Sequence, residues 1–192
     1  ATCTFRAGQR LLPPRRGEEY LALYIGLNQR WSLLPEERTL LRDVWNDQER
    51  EVAMRDVLLM RLAIAIEGTL ANAATISGVD ETECDCQRIV LPQLDSRYDF
   101  RILKSLEATV EQLVSRLAEP FVASSTRLVV LVIVDEVQLL DEIYAPDDRL
   151  GGNRTTGGAR LALRVLRQLQ VRLSSPKLLL LPIATGIEAT TS

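Results

Sequence analysis

The chain has 192 residues and a formal net charge of -3, with 46% hydrophobic and 26% charged residues and no histidine. This length fits one domain with a substantial core, and the composition is ordinary for a globular protein. The lack of histidine excludes Ser-His-Asp and Cys-His catalysis, the net charge gives no bulk electrostatic case for nucleic acid, and no apolar run reaches the roughly 20 residues of a membrane span.

The first two predicted elements are a buried strand and a short helix. Residues 1–19 are basic and rich in turn formers, and the apolar run at residues 20–27 is typical of a buried strand. Pro35, Glu36 and Glu37 indicate the first turn of a helix, because proline fits the first helical position and acidic side chains are favourable near the positive end of the helix dipole.

A long amphipathic helix is predicted from about Asp47 to Leu70. The apolar residues assigned to one face are Val52, Leu59, Leu62, Ala63 and Ile66. The polar positions include Arg50, Arg55, Asp56 and Arg61. We therefore expect this helix to pack one side against a core and to keep its other side polar.

Residues 71–97 show no convincing period and are predicted to form a long loop or an insertion. Cys84 and Cys86 lie in this segment, and the third cysteine is Cys3. A tetrahedral zinc site needs about four ligands, and three cysteines without histidine fall short of that. We expect unpaired thiols in an intracellular protein of the cytoplasm or nucleus, with no disulfide framework.

The second half of the chain alternates helices with strands. Helices are predicted at residues 98–118, with Pro120 as the stop signal, and at residues 159–173. The runs at residues 127–134 and 177–184 are short and apolar, as expected of strands buried on both faces.

Strands that alternate with helices imply right-handed crossovers and a parallel sheet. The predicted fold class is therefore α/β, a three-layer parallel sheet with flanking helices, in a single domain over residues 1–192. Pro182 interrupts the last strand, and because proline lacks a ladder donor it predicts a bulge or a strand end there.

The strand at residues 127–134 runs directly into Asp135 and Glu136. In open α/β sheets, ligands bind at the carboxyl ends of the strands. A Mg²⁺ ion that bridges nucleotide phosphates, with a water to be activated, would use both carboxylates: Asp135 toward the metal and Glu136 as the base. The alternative interpretation is two exposed acids that cap a helix starting at Val137.

Thr185 follows the next predicted strand. Parallel strands end at the same edge of a sheet, so we expect Thr185 beside Asp135 and Glu136, where its hydroxyl can orient the attacking water or the terminal phosphate. Threonine is common at strand ends. The connection between the Asp-Glu strand and the next strand is long enough to hold a helix, as parallel neighbours require. This arrangement is what gives Thr185 a functional interpretation.

Basic residues dominate the segment that follows the acidic one. On the predicted helix, Arg160, Arg164 and Arg167 share one face, which we expect to be solvated while the opposite face packs on the sheet. The alternative is a basic face that follows a nucleic-acid backbone.

The segment from Val134 to Leu140, Val-Asp-Glu-Val-Gln-Leu-Leu, resembles the Walker B region of AAA+ and STAND-type P-loop ATPases. The order of elements resembles the second, third and fourth strands of such a domain. More faintly, the layout looks like the ATPase module of Crinkler-type effectors and of trypanosomatid retrotransposon hot-spot proteins. In those modules, a strand like that at residues 21–28 precedes an arginine-containing helix and then the Asp-Glu strand.

This resemblance implies an enzyme that binds and hydrolyses ATP with Mg²⁺. It implies Asp135 as the Mg²⁺ ligand, Glu136 as the catalytic base and Thr185 as the sensor-1 residue. Arg149 and Arg154, in the predicted loop after the Asp-Glu strand, become candidate arginine fingers that reach a neighbouring subunit's nucleotide. The expected partners are therefore a nucleotide and either further copies of the chain or a partner protein.

The phosphate-binding loop of this family, GxxxxGK[ST], does not occur in the chain. The glycine-rich stretch at residues 151–158 lacks the Lys-Ser/Thr ending and follows the Asp-Glu pair instead of preceding it. We therefore expect an incomplete P-loop domain, a fragment that is inactive without an upstream phosphate loop. Two alternatives stay open: a non-catalytic α/β interaction module or effector derived from such an ATPase, and a helicase-like nucleic-acid motor.

Overall fold

The computed structural model describes residues 15–27, 33–44, 46–76, 106–143 and 157–185, with residues 71–76 and 142 described by their backbone only. Three strands and five helices occur in these ranges. In chain order they are β1 (Glu18–Gly26), α1 (Pro35–Arg42), α2 (Asp47–Ile76), α3 (Leu106–Val122), β2 (Arg127–Asp135), α4 (Leu139–Ile143), α5 (Gly158–Leu173) and β3 (Leu178–Ala184).

The three strands form one parallel sheet in the order β1-β2-β3. Gly26 pairs with Asp135, and Val134 pairs with Ala184, so all three strands end together at one edge. The central strand β2 is the apolar, largely β-branched run, which suits a strand flanked on both sides. The predicted α/β class with a parallel sheet and flanking helices is confirmed.

The described helices all pack against one face of the sheet. Alternate strand residues, among them Leu23, Val132 and Leu180, enter a core cluster with apolar residues of every one of these helices. The opposite face carries a separate apolar cluster built from strand residues, centred on Val129 and Leu131. The described residues thus show two of the three predicted layers.

Two helices end later than the sequence predicts, and residues 98–105 of the predicted third helix lie outside the described residues. Helix α2 continues to Ile76, so residues 71–76 of the predicted loop are helical, while residues 77–97 lie outside the described residues. Helix α3 passes through Pro120, its predicted stop, to Val122. Proline removes one hydrogen bond to the carbonyl of Arg116, and this loss is tolerated because both residues lie on the exposed side of the final turns.

The middle of α2 differs from the predicted amphipathic pattern. Residues 57–66 are all buried, including Arg61, which is 5% exposed, whereas Val52 of the predicted apolar face is 43% exposed. A helix that is surrounded by other elements has no polar face to give to solvent. The sequence pattern had counted Arg61 among the polar positions because an arginine is rarely buried without a partner.

Pro182 lies within β3 in unbroken register, paired with Val132, so the predicted bulge is absent from this strand. The amide of Thr185 donates to the Val134 carbonyl at 2.9 Å. Strand groups alternate in direction, so the nitrogen of residue 182 faces away from β2 and toward the outer edge. Proline is tolerated where the missing N–H faces outward.

The outer edge of β3 is engaged by the two serines that precede the strand. The amide of Leu178 donates to the carbonyl of Ser175 at 3.2 Å, and the amide of Leu180 donates to the hydroxyl of Ser174 at 3.1 Å.

Among the helices in the described ranges, none combines the length and apolarity that a membrane crossing requires.

Candidate functional site

Three side chains converge on one face of the sheet at its carboxyl edge: Tyr24 near the end of β1, Asp135 at the end of β2 and Thr185 just after β3. The Tyr24 hydroxyl donates to Oδ2 of Asp135, and the Thr185 hydroxyl donates to Oδ1. The backbone N–H of Glu136 also donates to Oδ1, at 3.0 Å. The Asp135 carboxylate is therefore held by groups from all three strands.

Thr185 lies beside Asp135, where the sequence predicts it. Its amide donates to the Val134 carbonyl at 2.9 Å, and its own carbonyl accepts from the Val137 amide at 3.1 Å. The β2–β3 ladder thus continues one residue beyond β3. This backbone attachment on both sides fixes the threonine hydroxyl next to the carboxylate.

Tyr24 is the site residue that the sequence does not reveal. The apolar run at residues 20–27 gives no reason to separate one tyrosine from its neighbours. The only available signal is parity: Tyr24 lies two residues before Gly26, the partner of Asp135, and so shares a sheet face with Asp135. That argument needs the register between strands that are about a hundred residues apart, which the sequence does not state.

The hydrogen bonds set the protonation states of the site. Donation by Thr185, then by Tyr24, and a smaller contribution from the Glu136 amide lower the pKa of Asp135 against the opposing effect of burial. Burial, the hydrogen bond to Asp135 and the charges of Asp135 and Glu136 raise the pKa of Tyr24 to about 12. At neutral pH the site therefore holds an ionised carboxylate and a protonated phenol.

Glu136 follows in a left-handed backbone conformation, with φ of 59°, and no other non-glycine residue in the described ranges has a positive φ. Its carbonyl accepts from the Leu139 amide at 3.0 Å, which starts the turn into α4. Within the described part of the chain, its carboxylate has no hydrogen-bond partner. The alternative reading, a side-chain cap on the next helix, is therefore not what these residues show.

The turn after Glu136 is attached to α5. Oδ1 of Asp141 accepts from the Ala159 amide at 2.9 Å, at the start of α5. Gly158 lies so close to α4 that a Cβ there would be 2.2 Å from the Leu140 carbonyl oxygen. Asp141 thus accepts a hydrogen bond at the N-terminus of α5, where the helix dipole favours a negative charge.

A buried ion pair fixes the carboxyl end of β1. Arg61 of α2 donates to both carboxylate oxygens of Glu37 in α1, at 2.8 and 2.6 Å, and to the Gly26 carbonyl at 2.8 Å. Glu37 is fully buried and also accepts from the Leu34 amide at 2.7 Å. Because Gly26 is the strand partner of Asp135, this pair holds the edge beside the site.

The predicted arginine fingers, Arg149 and Arg154, lie outside the described residues, as do all three cysteines. On α5, the three arginines of the predicted solvated face, Arg160, Arg164 and Arg167, are exposed. Arg164 approaches Glu51 of α2 at 3.4 Å, and Arg172 pairs with acids of α3. The face therefore also joins α5 to its neighbours.

The Asp135 carboxylate fits a metal ion whose other ligands are waters and substrate phosphates. In the described ranges, no three Cys, His, Asp or Glu residues are grouped as a metal site. Mg²⁺ is commonly bound by one or two carboxylates together with waters and substrate phosphates. A carboxylate offers about four acceptor directions, and the three contacts to Asp135 leave one on Oδ2.

Comparisons with protein-family models, with curated proteins and with solved structures find no match to this chain.

Proposed function

We propose that the chain is the part of a Mg²⁺-dependent, ATP-hydrolysing P-loop NTPase that holds the metal and activates the water. The observation that carries this proposal is the ionised Asp135, fixed at the carboxyl edge of a parallel sheet by hydroxyl groups from both neighbouring strands. Nucleotide sites of open α/β folds lie at this edge. Water alone would satisfy an exposed carboxylate, so two hydroxyl donors indicate a carboxylate that is held in one orientation.

Each residue has a role in the proposed reaction. Asp135 would hold a Mg²⁺ ion, directly or through a water, and the ion would supply charge neutralisation for phosphoryl transfer. Glu136, whose carboxylate has no hydrogen-bond partner in the described part of the chain, orients and deprotonates the attacking water. Thr185 keeps the Asp135 carboxylate in place through its hydroxyl, at the edge of the sheet where the phosphoryl group would bind.

The test uses the protein expressed from its complete reading frame. We expect Glu136→Gln to keep Mg·ATP binding and to lose turnover by about a hundredfold or more, as removal of a general base does. We expect Asp135→Asn to abolish the Mg²⁺-dependent part of ATP protection in thermal melts. Wild-type protein at a hundredfold ligand excess over Kd gains about 2.7 kcal/mol.

Asp43→Asn is the matched control, because Asp43 is an exposed acid just after α1 and takes no part in the hydrogen bonds to Asp135. It should leave both protection and turnover unchanged. If Mg²⁺ adds no protection to the wild-type protein, or adds as much to Asp135→Asn, the proposed function is wrong.

The second candidate is a non-catalytic interaction module, and the surface of α5 favours it. Leu163 is 42% exposed and Val171 is 82% exposed, both among the arginines of this helix. Arginine is enriched at protein interfaces, and exposed apolar side chains beside it would add contact area. A flat response to Mg·ATP, with turnover absent, would leave this candidate standing.

A further inference from the structure

We propose that Tyr24 is a positioning residue for the metal: its hydroxyl fixes the Asp135 carboxylate and leaves one acceptor direction of Oδ2 for a Mg²⁺ ion or a water bound to it. This inference rests on the proposed function and assigns a role in it to a residue that acts through Asp135.

The distribution of donors over the two carboxylate oxygens supports this role. Thr185 and the Glu136 amide both donate to Oδ1. Tyr24 is the described donor to Oδ2. The second torsion of an aspartate side chain is broad and weakly restrained by itself. Without the phenol, the carboxylate would be attached at one oxygen and would swing about it, carrying the acceptor direction of Oδ2 with it.

The position of Tyr24 in the strand explains why a tyrosine is needed. Asp135 is aligned with Gly26, two residues farther along β1, so the contact is a diagonal one across neighbouring strands. Diagonal neighbours on one sheet face are about 7–8 Å apart, a gap that an aromatic side chain spans. Serine or threonine at this position would carry the hydroxyl but would not reach, and phenylalanine would reach without donating.

Tyr24→Phe and Tyr20→Phe form a matched pair of variants. Tyr20 lies on the same strand and the same face, at the other end of β1, and donates its hydroxyl to Glu18 at 2.6 Å. Each variant loses one phenolic hydroxyl and keeps the ring. Only the first loses a contact to Asp135. Thermal melts establish that both fold.

The first measurement is the Mg²⁺ concentration that gives half of the Mg²⁺-dependent rise in melting temperature with ATP, which reports binding without turnover. The second is the Mg²⁺ concentration that gives half-maximal ATP hydrolysis, together with kcat at saturating Mg²⁺. We expect Tyr24→Phe to raise the half-saturating Mg²⁺ concentration about tenfold, the size of a lost hydrogen bond to a charged group. Saturating Mg²⁺ should restore most of kcat. Tyr20→Phe should match the wild type. A purely structural role would lower the melting temperature without moving the metal requirement.

The remaining outcomes separate the two proposals. If hydrolysis depends on Asp135 but Tyr24→Phe needs no more Mg²⁺ than Tyr20→Phe, or needs less, the positioning role is overturned and the proposed function stands. If the wild-type protein shows no Mg²⁺-dependent hydrolysis, or Asp135→Asn hydrolyses ATP normally, both proposals fall together.

Discussion

At the scale of single residues, Glu136 stores backbone strain at the site. A left-handed conformation costs an L-residue about 1–2 kcal/mol, and such outliers persist only where the surroundings determine them. Here the chain is held on both sides of the residue: before it, the Val134 carbonyl accepts from the Thr185 amide, and after it, the Val137 amide donates to the Thr185 carbonyl. This conformation changes the direction of the chain directly after Asp135, the last residue of β2.

Substitution of Glu136 separates this strain from the chemistry. We expect Glu136→Gly to raise the free energy of unfolding by roughly 0.5–1 kcal/mol. Glycine removes the cost of the positive φ, and the extra conformational entropy that glycine loses on folding offsets only part of this gain. Glu136→Gln keeps a side chain at the strained position and should leave stability nearly unchanged. Urea unfolding of both variants measures the difference.

Both variants should lose ATP turnover under the proposed function, so the more stable protein would be the less active one. If Glu136→Gly is no more stable than Glu136→Gln, the positive φ carries no measurable strain.

At the scale of elements, the pair between Glu37 and Arg61 joins α1, α2 and β1. A buried ion pair often contributes little relative to apolar residues, but removal of one partner leaves an uncompensated buried charge. The arginine also satisfies the Gly26 carbonyl beside Asp135. Its loss should therefore be felt both in stability and at the carboxyl edge.

We expect Arg61→Met to lower the free energy of unfolding by about 3–5 kcal/mol, the usual cost of breaking such a pair. Arg55→Met is the control on the same helix: Arg55 pairs with Asp56 at 3.4 Å, with side chains 37% and 16% exposed, and water can take the place of the arginine, so we expect a loss of about 1 kcal/mol. Denaturant midpoints of the two variants give the comparison. Equal losses would show that the buried pair does not hold the elements together.

At the scale of the whole molecule, the phenol of Tyr24 makes stability depend on alkaline pH. Its pKa is raised from 10.0 to about 12 in the folded protein, first by burial and then by the adjacent carboxylates. Above pH 10 the unfolded chain loses a proton that the folded chain keeps, so ionisation favours unfolding. The contribution of Tyr24 is complete below pH 10 and declines as pH rises toward 12.

We therefore expect the stability advantage of the wild type over Tyr24→Phe to shrink as pH rises through 10. Urea midpoints of the two proteins, measured at matched pH values, show whether the difference narrows. A constant difference across this range would contradict the raised pKa and the hydrogen bond that contributes to it.

The sequence predicts the layout of the molecule better than its long-range contacts. The strands at residues 127–134 and 177–184 are found because a buried strand must be apolar, and the meeting of Asp135 with Thr185 follows from parallel strands alone. Tyr24 and Arg61 are missed for one reason. Each acts through a partner far away in sequence, and the position of that partner depends on strand register and helix packing, which periodicity does not encode.

The outer edge of β3 has a consequence for the protein in concentrated solution. Exposed strand edges are templates on which further chains add by hydrogen bonding, the first step of sheet aggregation. Here Ser174 and Ser175 occupy the outward groups at the start of the strand, and Pro182 has no donor to offer farther along. Among the described residues, a second chain would meet amides of Leu178 and Leu180 that are already bonded and no donor at Pro182, so we expect these features to disfavour strand addition at this edge.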